Sequence, residues 1–345
     1  MRKLRLILFP FAGVYYLITL SRNYLFNKGL LHSKSYPLPV ICVGNLSAGG
    51  TGKSPMTEYI LRLLKDNHKI ATLSRGYGRT TKGYRKVTPN NSATEVGDEP
   101  LQFAKKFSEV QVAVCENRQT GIEQLLRKEH APEIIILDDA YQHRKVKPGL
   151  TLLLTAYGDL YTNDYLLPAG NLREPRRGAH RADLIVVTKC PPALSEFDRK
   201  SILAEIAPKD HQSLYFTSIS YDDKVYSNLG SSTLNSLKVK KVTLVTGIAN
   251  PKPLLDELKR QGLSFNHKSF SDHHNFTSSE IENLERLECI LTTEKDYVRL
   301  QPLLKMKELY YVPIQVKIVD DASNFDERVT QFVKNFKPGG SYRFS

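Results

Sequence analysis

The sequence predicts an α/β protein: a three-layer α/β/α sandwich with a mostly parallel sheet, and a second, smaller α/β/α domain. Short apolar runs without strict alternation recur along the 345 residues, and helical patterns separate several of them. Strands buried on both faces give such runs, and right-handed crossovers place helices on both faces of a parallel sheet. The composition, 41% hydrophobic and 25% charged, is that of a globular chain.

The apolar runs fall into two series, which predict two sandwiches. Strands of the first are expected at 40–43, 70–73, 110–115, 134–137, 150–154 and 184–187. Further strands are expected at 214–219, 242–245, 289–291 and 310–316, with a closing helix through Phe325 and Phe332. We therefore divide the chain into a leading segment at 1–30, a first domain at 31–205 and a smaller α/β domain at 206–345.

The leading segment predicts a membrane-associating helix. Residues 6–21 are uncharged and mostly apolar between Arg5 and Arg22, but this run is shorter than the ~20 residues that a spanning helix needs. If Pro10 opens a helix, one apolar side is formed by Phe11, Val14, Tyr15 and Ile18. A basic, aromatic, non-spanning helix suits the headgroup region of a bilayer. The alternative is a helix packed on the core of the protein itself.

The net charge and the cysteine content indicate which classes of function are favoured. The net charge is +13, and the first acidic residue is Glu58, so the N-terminal part is strongly basic. This balance favours anionic lipid or phosphorylated substrates, and no RNA-binding signature or aromatic-rich basic stripe points to nucleic acid. The four cysteines form no C-x-x-C pair, which disfavours a metal site and a disulfide framework and favours a reducing cytosol.

A glycine-rich loop between a strand and a helix predicts phosphate binding. The apolar run at 40–43 leads into Ser47, Ala48, Gly49, Gly50, Thr51, Gly52, Lys53 and Ser54. Backbone N–H groups and a helix N-terminus bind phosphate oxygens, the lysine reaches the β- and γ-phosphates, and the Ser54 hydroxyl binds Mg²⁺. Ser47 stands where the usual pattern has glycine. The domain at 31–205 is thus predicted to be a P-loop NTPase-like catalytic domain that uses ATP and Mg²⁺.

A second element is the apolar run at 134–137, which ends in Asp138 and Asp139. A buried strand here would deliver carboxylates to the edge of the sheet where ligands bind, and one of them would hold Mg²⁺ directly or through water. The residues do not decide which of the two contacts the metal.

Two other nucleotide-binding classes remain as alternatives. A GTPase or metallochaperone would read guanine with Asn-Lys-x-Asp, but Pro191 stands in the place of the carboxylate that should follow Lys189. A membrane-bound nucleotide switch of the dimerising kind carries a lysine where this chain has Ala48. Both classes are weakened by these residues.

Taken in order, the motifs resemble those of the tetraacyldisaccharide 4′-kinases, the lipid A 4′-kinases of lipopolysaccharide biosynthesis. The resemblance runs to about residue 300 and rests on the glycine loop together with the segments 74–79, 97–100, 138–144, 172–175, 272–274 and 293–296. Ala140-Tyr141 stands where the family usually has Gly-Phe, and Ser54 where threonine is common.

The resemblance implies transfer of phosphate from ATP to the 4′-hydroxyl of a tetraacylated glucosamine disaccharide 1-phosphate. It also implies a mobile smaller domain that helps to close over nucleotide, and an N-terminal helix that engages the inner membrane. The expected partners are the lipid-linked substrate and the membrane surface, with no nucleic acid and no obligate protein partner. The expected location is the cytoplasmic face of the bacterial inner membrane, peripheral or monotopic.

Asp98 matches the catalytic base of that family, and the resemblance pairs it with His273. A base must lie within hydrogen-bond reach of the attacking hydroxyl. The plainer interpretation of Asp98 is a helix N-cap before Glu99-Pro100. For His273 and His274 the rival is a metal pair, although no carboxylate spacing completes a zinc site.

An acceptor that already carries a phosphate calls for a basic clamp, because guanidinium groups suit phosphate oxygens. The candidates for binding the acceptor are Asn45, Arg79, Arg118, Gln142, His143, Arg173 and Glu174. For Arg173 and Glu174 a structural salt bridge is the rival interpretation.

Overall fold

The structure is a computed structural model that describes residues 5–127, 129–272, 274–305, 308–319 and 321–338. Its strands are β1 (Val40–Asn45), β2 (Ile70–Ser74), β3 (Arg85–Val87), β4 (Gln111–Val114), β5 (Ile134–Asp138), β6 (Leu150–Ala156), β7 (Leu184–Thr188), β8 (Ser213–Tyr221), β9 (Lys224–Ser227), β10 (Gly230–Thr233), β11 (Val242–Thr246), β12 (Phe265–Ser269), β13 (Cys289–Thr293), β14 (Leu309–Val312) and β15 (Ile314–Ile318). Its helices are α1 (Phe9–Asn27), α2 (Lys53–Leu64), α3 (Ala93–Val96), α4 (Asp98–Lys106), α5 (Arg118–Leu126), α6 (Glu196–Ile206), α7 (Lys252–Arg260), α8 (Ser278–Glu285), α9 (Glu294–Leu300) and α10 (Ala322–Lys334).

Nine strands form the larger sheet, in the order β15-β8-β7-β6-β1-β5-β2-β4-β3. The seven inner strands are parallel, and the two edge strands β15 and β3 are antiparallel to their neighbours. The apolar runs of the sequence became these strands because both faces of the sheet are covered, so successive side chains of β1 are buried on opposite sides.

Helices cover both faces, as the sequence predicts. Ile41 and Val43 of β1 lie in one core with apolar residues of α2, α4 and α10, whereas Cys42 lies in the opposite core with residues of α5. Fully burying side chains such as Ile60 and Phe325 stabilises the fold by about 1.5–3 kcal/mol each.

The smaller sheet has six strands in the order β10-β9-β14-β13-β11-β12, of which β11 to β14 are parallel. Leu254 and Leu258 of α7 cover one face, while Leu284 of α8 and Leu300 of α9 cover the other. This unit is the predicted second α/β/α sandwich.

The two sheets divide the chain differently from the predicted boundary between residues 205 and 206. Strand β8 completes the larger sheet, and the predicted single strand at 310–316 is two strands that belong to different sheets. Pro313 separates them: β14 pairs with β13, and β15 returns to pair with β8. Proline has no N–H to continue a ladder, so the chain leaves one sheet there. Helix α10 then packs in the core of the larger unit.

Helix α1 begins with Pro10 in its first turn, as predicted. Among the described residues, no helix is both long enough and apolar enough to cross a bilayer. Phe11, Val14 and Ile18 are 66%, 59% and 61% exposed. The inclusion of Tyr15 in this apolar side is wrong, because its hydroxyl turns inward and donates to the Arg173 carbonyl at 2.7 Å.

Candidate active site

The glycine loop joins β1 to α2 at the carboxyl end of the parallel strands. Gly49 and Gly52 have φ angles of 130° and 81°, in the region that L side chains rarely adopt, so the loop requires glycine at both positions. The buried Asn45 amide donates to the Thr51 hydroxyl at 2.8 Å, and the Thr188 hydroxyl donates to the Thr51 carbonyl at 2.8 Å. The loop is thus tied to the ends of β1 and β7.

The outer half of the loop pairs with the segment around Leu172, which forms an isolated bridge with Ser47. The Ala48 N–H donates to the Asn171 carbonyl at 2.6 Å, and the Arg173 N–H donates to the Leu46 carbonyl at 2.8 Å. The motif at 172–175 therefore lies directly against the glycine loop. The Ala48 amide, which the sequence predicts to bind nucleotide, is engaged by Asn171 in this conformation.

Asp138 and Asp139 lie where predicted, at the end of β5 beside the loop. Lys53 Nζ is 3.7 Å from Asp139 Oδ1, and Arg173 Nη1 is 3.0 Å from the same oxygen. Asp139 has a φ of 47°, a strained conformation that recurs at functional sites. For Arg173, the structure thus contains an ion pair, although with Asp139 rather than with Glu174.

Asp138 is buried, and its Oδ1 accepts a hydrogen bond of 3.1 Å from the Thr57 hydroxyl. Burial raises the pKa of Asp138 to about 7, helped by the charges of Asp139 and Glu99. A cation near this cluster would favour the ionised carboxylates. No group of three His, Cys, Asp or Glu side chains is placed to hold a metal in the described part of the chain. A metal here would need further oxygens, such as those of Ser54 and of phosphate.

Lys189, which follows β7 with a φ of 60°, reaches across the loop. Its Nζ donates to the Gly50 carbonyl, and burial together with the charge of Lys53 lowers the pKa of the ammonium. Two ammonium groups, those of Lys53 and Lys189, thus lie at the glycine loop.

Two further motifs meet beside the acids. A Cβ on Gly97, whose φ is 94°, would lie 3.0 Å from the Tyr77 carbonyl oxygen and 3.2 Å from Gly76 Cα. The segments 74–79 and 97–100 therefore approach each other more closely than side chains would allow. This contact places Asp98, at the start of α4, next to the loop that bears Arg79.

Asp98 is 8% exposed and belongs to the first turn of α4, where Gly97 is the N-cap residue. Across the boundary between the two units, Arg299 Nε is 3.5 Å from Asp98 Oδ2. Because Gly97 holds the N-cap position, the interpretation of Asp98 as a helix N-cap is wrong. Its predicted partner His273 lies outside the described residues, so the pairing stays a prediction. The side chain of His274 bonds to Glu280 at 3.0 Å.

Arg118 and Arg79 carry buried donors. Arg118 is 2% exposed and donates from Nη1 to the Cys115 carbonyl at 2.6 Å, but its Nε and Nη2 have no hydrogen-bond partner among the described residues. Arg79 pairs with Glu116 at 2.6 Å, and its Nε and Nη1 are likewise unmatched there. Burial lowers the pKa of Arg118 to about 10, which still leaves it charged at neutral pH. Unmatched guanidinium donors suit an anion.

Gln142 and His143 follow the acid pair. The Gln142 amide donates to the Asn45 carbonyl at 2.8 Å and to Glu174 Oε1 at 3.1 Å. Burial, followed by the charge of Arg118, lowers the pKa of His143 to about 4, so the imidazole is neutral at physiological pH. A neutral ring can both donate and accept hydrogen bonds, as sugar hydroxyls require.

Glu174 is buried and connects helix α1 to this region. It accepts from Arg181 at 2.8 Å and from the Asn23 amide at 3.0 Å, and Arg22 donates to the Gln142 carbonyl at 2.7 Å. The structural salt bridge expected for Glu174 therefore exists, with Arg181 as its partner. Helix α1 is attached to the site through polar side chains, and its apolar residues Phe11, Val14 and Ile18 face outward.

Sequence reasoning missed Thr57 and Arg299, and it assigned no role to Asp296, which belongs to the segment 293–296. Thr57 lies one helical turn after Lys53, a spacing that places both on the same side of α2. Asp296 and Arg299 are three residues apart in α9 and form an ion pair of 3.1 Å. This spacing was visible in the sequence, but only the fold brings the pair to Asp98.

Comparison with known proteins identifies the family of this chain. The family described as Tetraacyldisaccharide-1-P 4'-kinase matches residues 4–334. The proteins named tetraacyldisaccharide 4'-kinase from Flavobacterium johnsoniae and Bacteroides thetaiotaomicron are 47% and 43% identical to this chain; the matches cover 98% and 97% of this chain and 100% and 95% of theirs. A crystal structure of LpxK from Aquifex aeolicus in complex with ATP has a TM-score of 0.79 at 32% identity, covering 96% of this chain and 99% of that one. The chain therefore belongs to the tetraacyldisaccharide-1-P 4'-kinase family.

Proposed function

We propose that this protein transfers the γ-phosphate of ATP to the 4′-hydroxyl of a tetraacylated glucosamine disaccharide 1-phosphate, in lipid A biosynthesis. The observation that carries the proposal is the meeting of the glycine loop, Lys53 and two carboxylates at one edge of the sheet. This arrangement occurs in a chain whose relatives are named tetraacyldisaccharide 4'-kinase along their whole length.

The glycine loop and Lys53 bind the triphosphate in this proposal. Salt-bridged to Asp139 at 3.7 Å, Lys53 is held at the N-terminus of α2, where a β- or γ-phosphate would replace the carboxylate as its partner. The residues of the glycine loop, from Ser47 to Ser54, surround the phosphates in this proposal. Lys189 would add a second positive charge from the opposite side.

Mg²⁺ fits the residues beside the loop. Asp138, Asp139 and the Ser54 hydroxyl offer hard oxygen ligands, and Mg²⁺ in kinases is held by one or two carboxylates together with phosphate oxygens. Burial, followed by the charges of Asp139 and Glu99, raises the pKa of Asp138, and a divalent ion bound here would favour the ionised carboxylates. When bound, the ion neutralises charge on the phosphates.

Asp98 acts as the general base in the proposed reaction. The 4′-oxygen attacks the γ-phosphorus while its proton passes to the Asp98 carboxylate, and ADP leaves with the bridging oxygen. The resemblance to the family assigns His273 to pair with Asp98. The burial of Asp98 next to the loop of Arg79 supports a role in the reaction rather than in solvation.

The acceptor is bound by basic and polar groups around the acids. Arg79 and Arg118 have buried donors that suit a phosphate, and Arg173 can exchange Asp139 for a substrate oxygen. Gln142 is hydrogen-bonded to Asn45 and Glu174, and His143 follows it in the chain, so a sugar could find donors and acceptors among these four residues.

The enzyme works at the cytoplasmic face of the inner membrane, peripherally or monotopically, in this proposal. Helix α1 exposes Phe11, Val14 and Ile18 on a side that no described residue covers, and polar contacts hold its other side to the site. An inserted helix would bring lipid-linked substrate directly to Arg173 and Gln142.

The test is to incubate the purified protein with γ-labelled ATP, Mg²⁺ and disaccharide 1-phosphate lipid. A labelled bisphosphorylated lipid that depends on the acceptor is expected. Nucleotide hydrolysis without a labelled lipid, or a preference for GTP, would instead favour a nucleotide switch or a GTPase.

A further inference from the structure

Arg299 reaches from the smaller unit to the proposed base in the larger one. Its side chain is 8% exposed, and its Nε lies 3.5 Å from Oδ2 of Asp98. Its two terminal nitrogens bind the smaller unit: Nη2 donates to Asp296 Oδ1 at 3.1 Å, and Nη1 donates to the His274 carbonyl at 3.1 Å. One planar guanidinium therefore connects Asp98 to two segments of the smaller sandwich.

Asp296 fixes the position of this guanidinium. The carboxylate is 0% exposed and accepts from the Gly247 N–H at 2.8 Å and from the Thr293 hydroxyl at 2.7 Å. Both donors lie at the carboxyl ends of strands, β11 and β13, so the anchor is part of the smaller sheet rather than of a loose surface. Arg299 is thus positioned by the smaller unit and directed at the larger one.

The contact with Asp98 is an ion pair rather than a formed hydrogen bond. Arg299 Nε is buried and has no hydrogen-bond partner among the described residues, whereas the other two nitrogens are satisfied. A buried unmatched donor is costly, and charges in a poorly solvated site interact strongly. A small movement of the smaller unit toward α4 would complete the bond.

Two other ion pairs join the same helices and dock them. Lys106 lies 2.7 Å from Glu58 and 2.8 Å from Glu294, and Lys295 lies 3.1 Å from Glu99. These pairs, formed with Glu294 and Glu99, also hold the two helices, α4 and α9, together.

We propose that Arg299 is a positioning residue that orients Asp98 for proton transfer and makes turnover depend on docking of the smaller unit. This inference rests on the proposed function, since it takes Asp98 to be the base. The positive charge of Arg299 attracts the Asp98 carboxylate, and the fixed plane of the guanidinium limits the rotation of that carboxylate.

The test compares Arg299→Ala, Arg299→Gln and Arg299→Lys with Lys295→Ala, which removes a neighbouring ion pair across the same interface. For Arg299→Ala we expect kcat to fall roughly 10- to 100-fold with little change in KM for ATP or lipid, since the residue acts through another group. Arg299→Lys should recover part of kcat, and Lys295→Ala should stay within about threefold of the wild type. Wild-type kcat in Arg299→Ala, or an equal loss in Lys295→Ala, would overturn the proposal.

A double-mutant cycle separates positioning from general destabilisation. If Arg299 acts through Asp98, adding Arg299→Ala to Asp98→Asn should lower kcat no further, whereas multiplied losses would contradict the proposal. Should Arg299→Ala fail to fold, the cycle is run with Arg299→Gln, whose amide can still donate to Asp296. Normal turnover in Asp98→Asn would refute the base assignment itself, while a normal Arg299→Ala beside an inactive Asp98→Asn would refute only the role of Arg299.

Discussion

Lys53 Nζ lies 3.7 Å from Asp139 Oδ1, so the lysine of the glycine loop is held by the carboxylate at the end of β5. Strand β1 pairs directly with β5, and this adjacency brings together two residues that are far apart in the sequence. The ammonium group of Lys53 and the acid pair therefore meet at one edge of the larger sheet.

Replacing Lys53 with Met should lower kcat by roughly 10²- to 10³-fold, because a positioned donor to the transferred phosphoryl group is lost. The side chains are of similar length, so the free energy of unfolding should change little. Steady-state kinetics check the first expectation, and urea denaturation the second. Lys259→Met, which changes an exposed lysine of α7, is the matched control and should behave like the wild type.

Replacing Asp98 with Ala should remove most turnover, by roughly 10²- to 10⁴-fold, because the attacking hydroxyl loses its proton acceptor. Binding of ATP should persist, since the substitution leaves the glycine loop and Lys53 unchanged. Labelled-product formation and equilibrium binding of ATP measure the two properties. Full activity in this variant would show that another group takes the proton.

Asp138→Asn should make the nucleotide-free protein more stable at pH 8. Burial raises the pKa of Asp138 from 3.8 to about 7, so the folded protein holds this proton more tightly than the unfolded chain does. The wild type therefore loses stability as the pH rises from about 4 to about 7, by at most about 4 kcal/mol, and the asparagine variant avoids this loss.

Urea denaturation at pH 4.5 and pH 8 measures the free energy of unfolding of Asp138→Asn and of the wild type. Asp66→Asn, a substitution at an exposed residue, is the control. The difference between Asp138→Asn and the wild type should be small at the lower pH and largest at the higher one. An equal difference at both values would mean that Asp138 is not protonated in the folded protein near neutral pH. Turnover should fall in the same variant.

Arg118→Met should raise KM for the lipid acceptor roughly 10- to 100-fold, since a charge-assisted hydrogen bond to a charged group is worth about 1.5–3 kcal/mol. KM for ATP should stay near the wild-type value, since the substitution leaves the glycine loop and Lys53 unchanged. Arg127→Met, at the exposed end of the same helix, is the control. A rise in KM for ATP alone would assign Arg118 to the nucleotide instead.

Changing Phe11, Val14 and Ile18 together to Ser should lower activity on bilayer-presented lipid about tenfold or more, because three exposed apolar side chains no longer enter the membrane. Activity on a detergent-dispersed analogue should change less than about twofold. This variant tests insertion better than deletion of residues 1–25, which would also remove the contacts of Tyr15, Arg22 and Asn23 with the site.

The control for the helix is Phe197→Ser, since Phe197 is an 82% exposed aromatic residue on α6. It should leave both assays unchanged. Equal losses in the bilayer and detergent assays for the triple variant would indicate that the exposed residues of α1 serve the structure rather than the membrane.

The sequence by itself determined the sandwich architecture, the glycine loop, the acid pair and the family. Each depends on residues close together in the chain: a buried strand shows as an apolar run, and a phosphate loop requires glycines at fixed spacing between strand and helix. The positions of Asp138 and Asp139, directly after the apolar run at 134–137, could therefore be predicted without coordinates.

Only the tertiary structure decided how distant segments meet. Three such contacts leave no repeating pattern in the sequence. Strand β15 returns to the larger sheet after Pro313, Ser47 pairs with Leu172, and the Tyr15 hydroxyl turns inward. Nor could Arg299 be assigned to Asp98, since two hundred residues of chain and a sheet boundary separate them. Such contacts are set by sheet order and domain packing. The local sequence pattern of a strand or helix is the same whichever partner it packs against, so the pattern does not identify that partner.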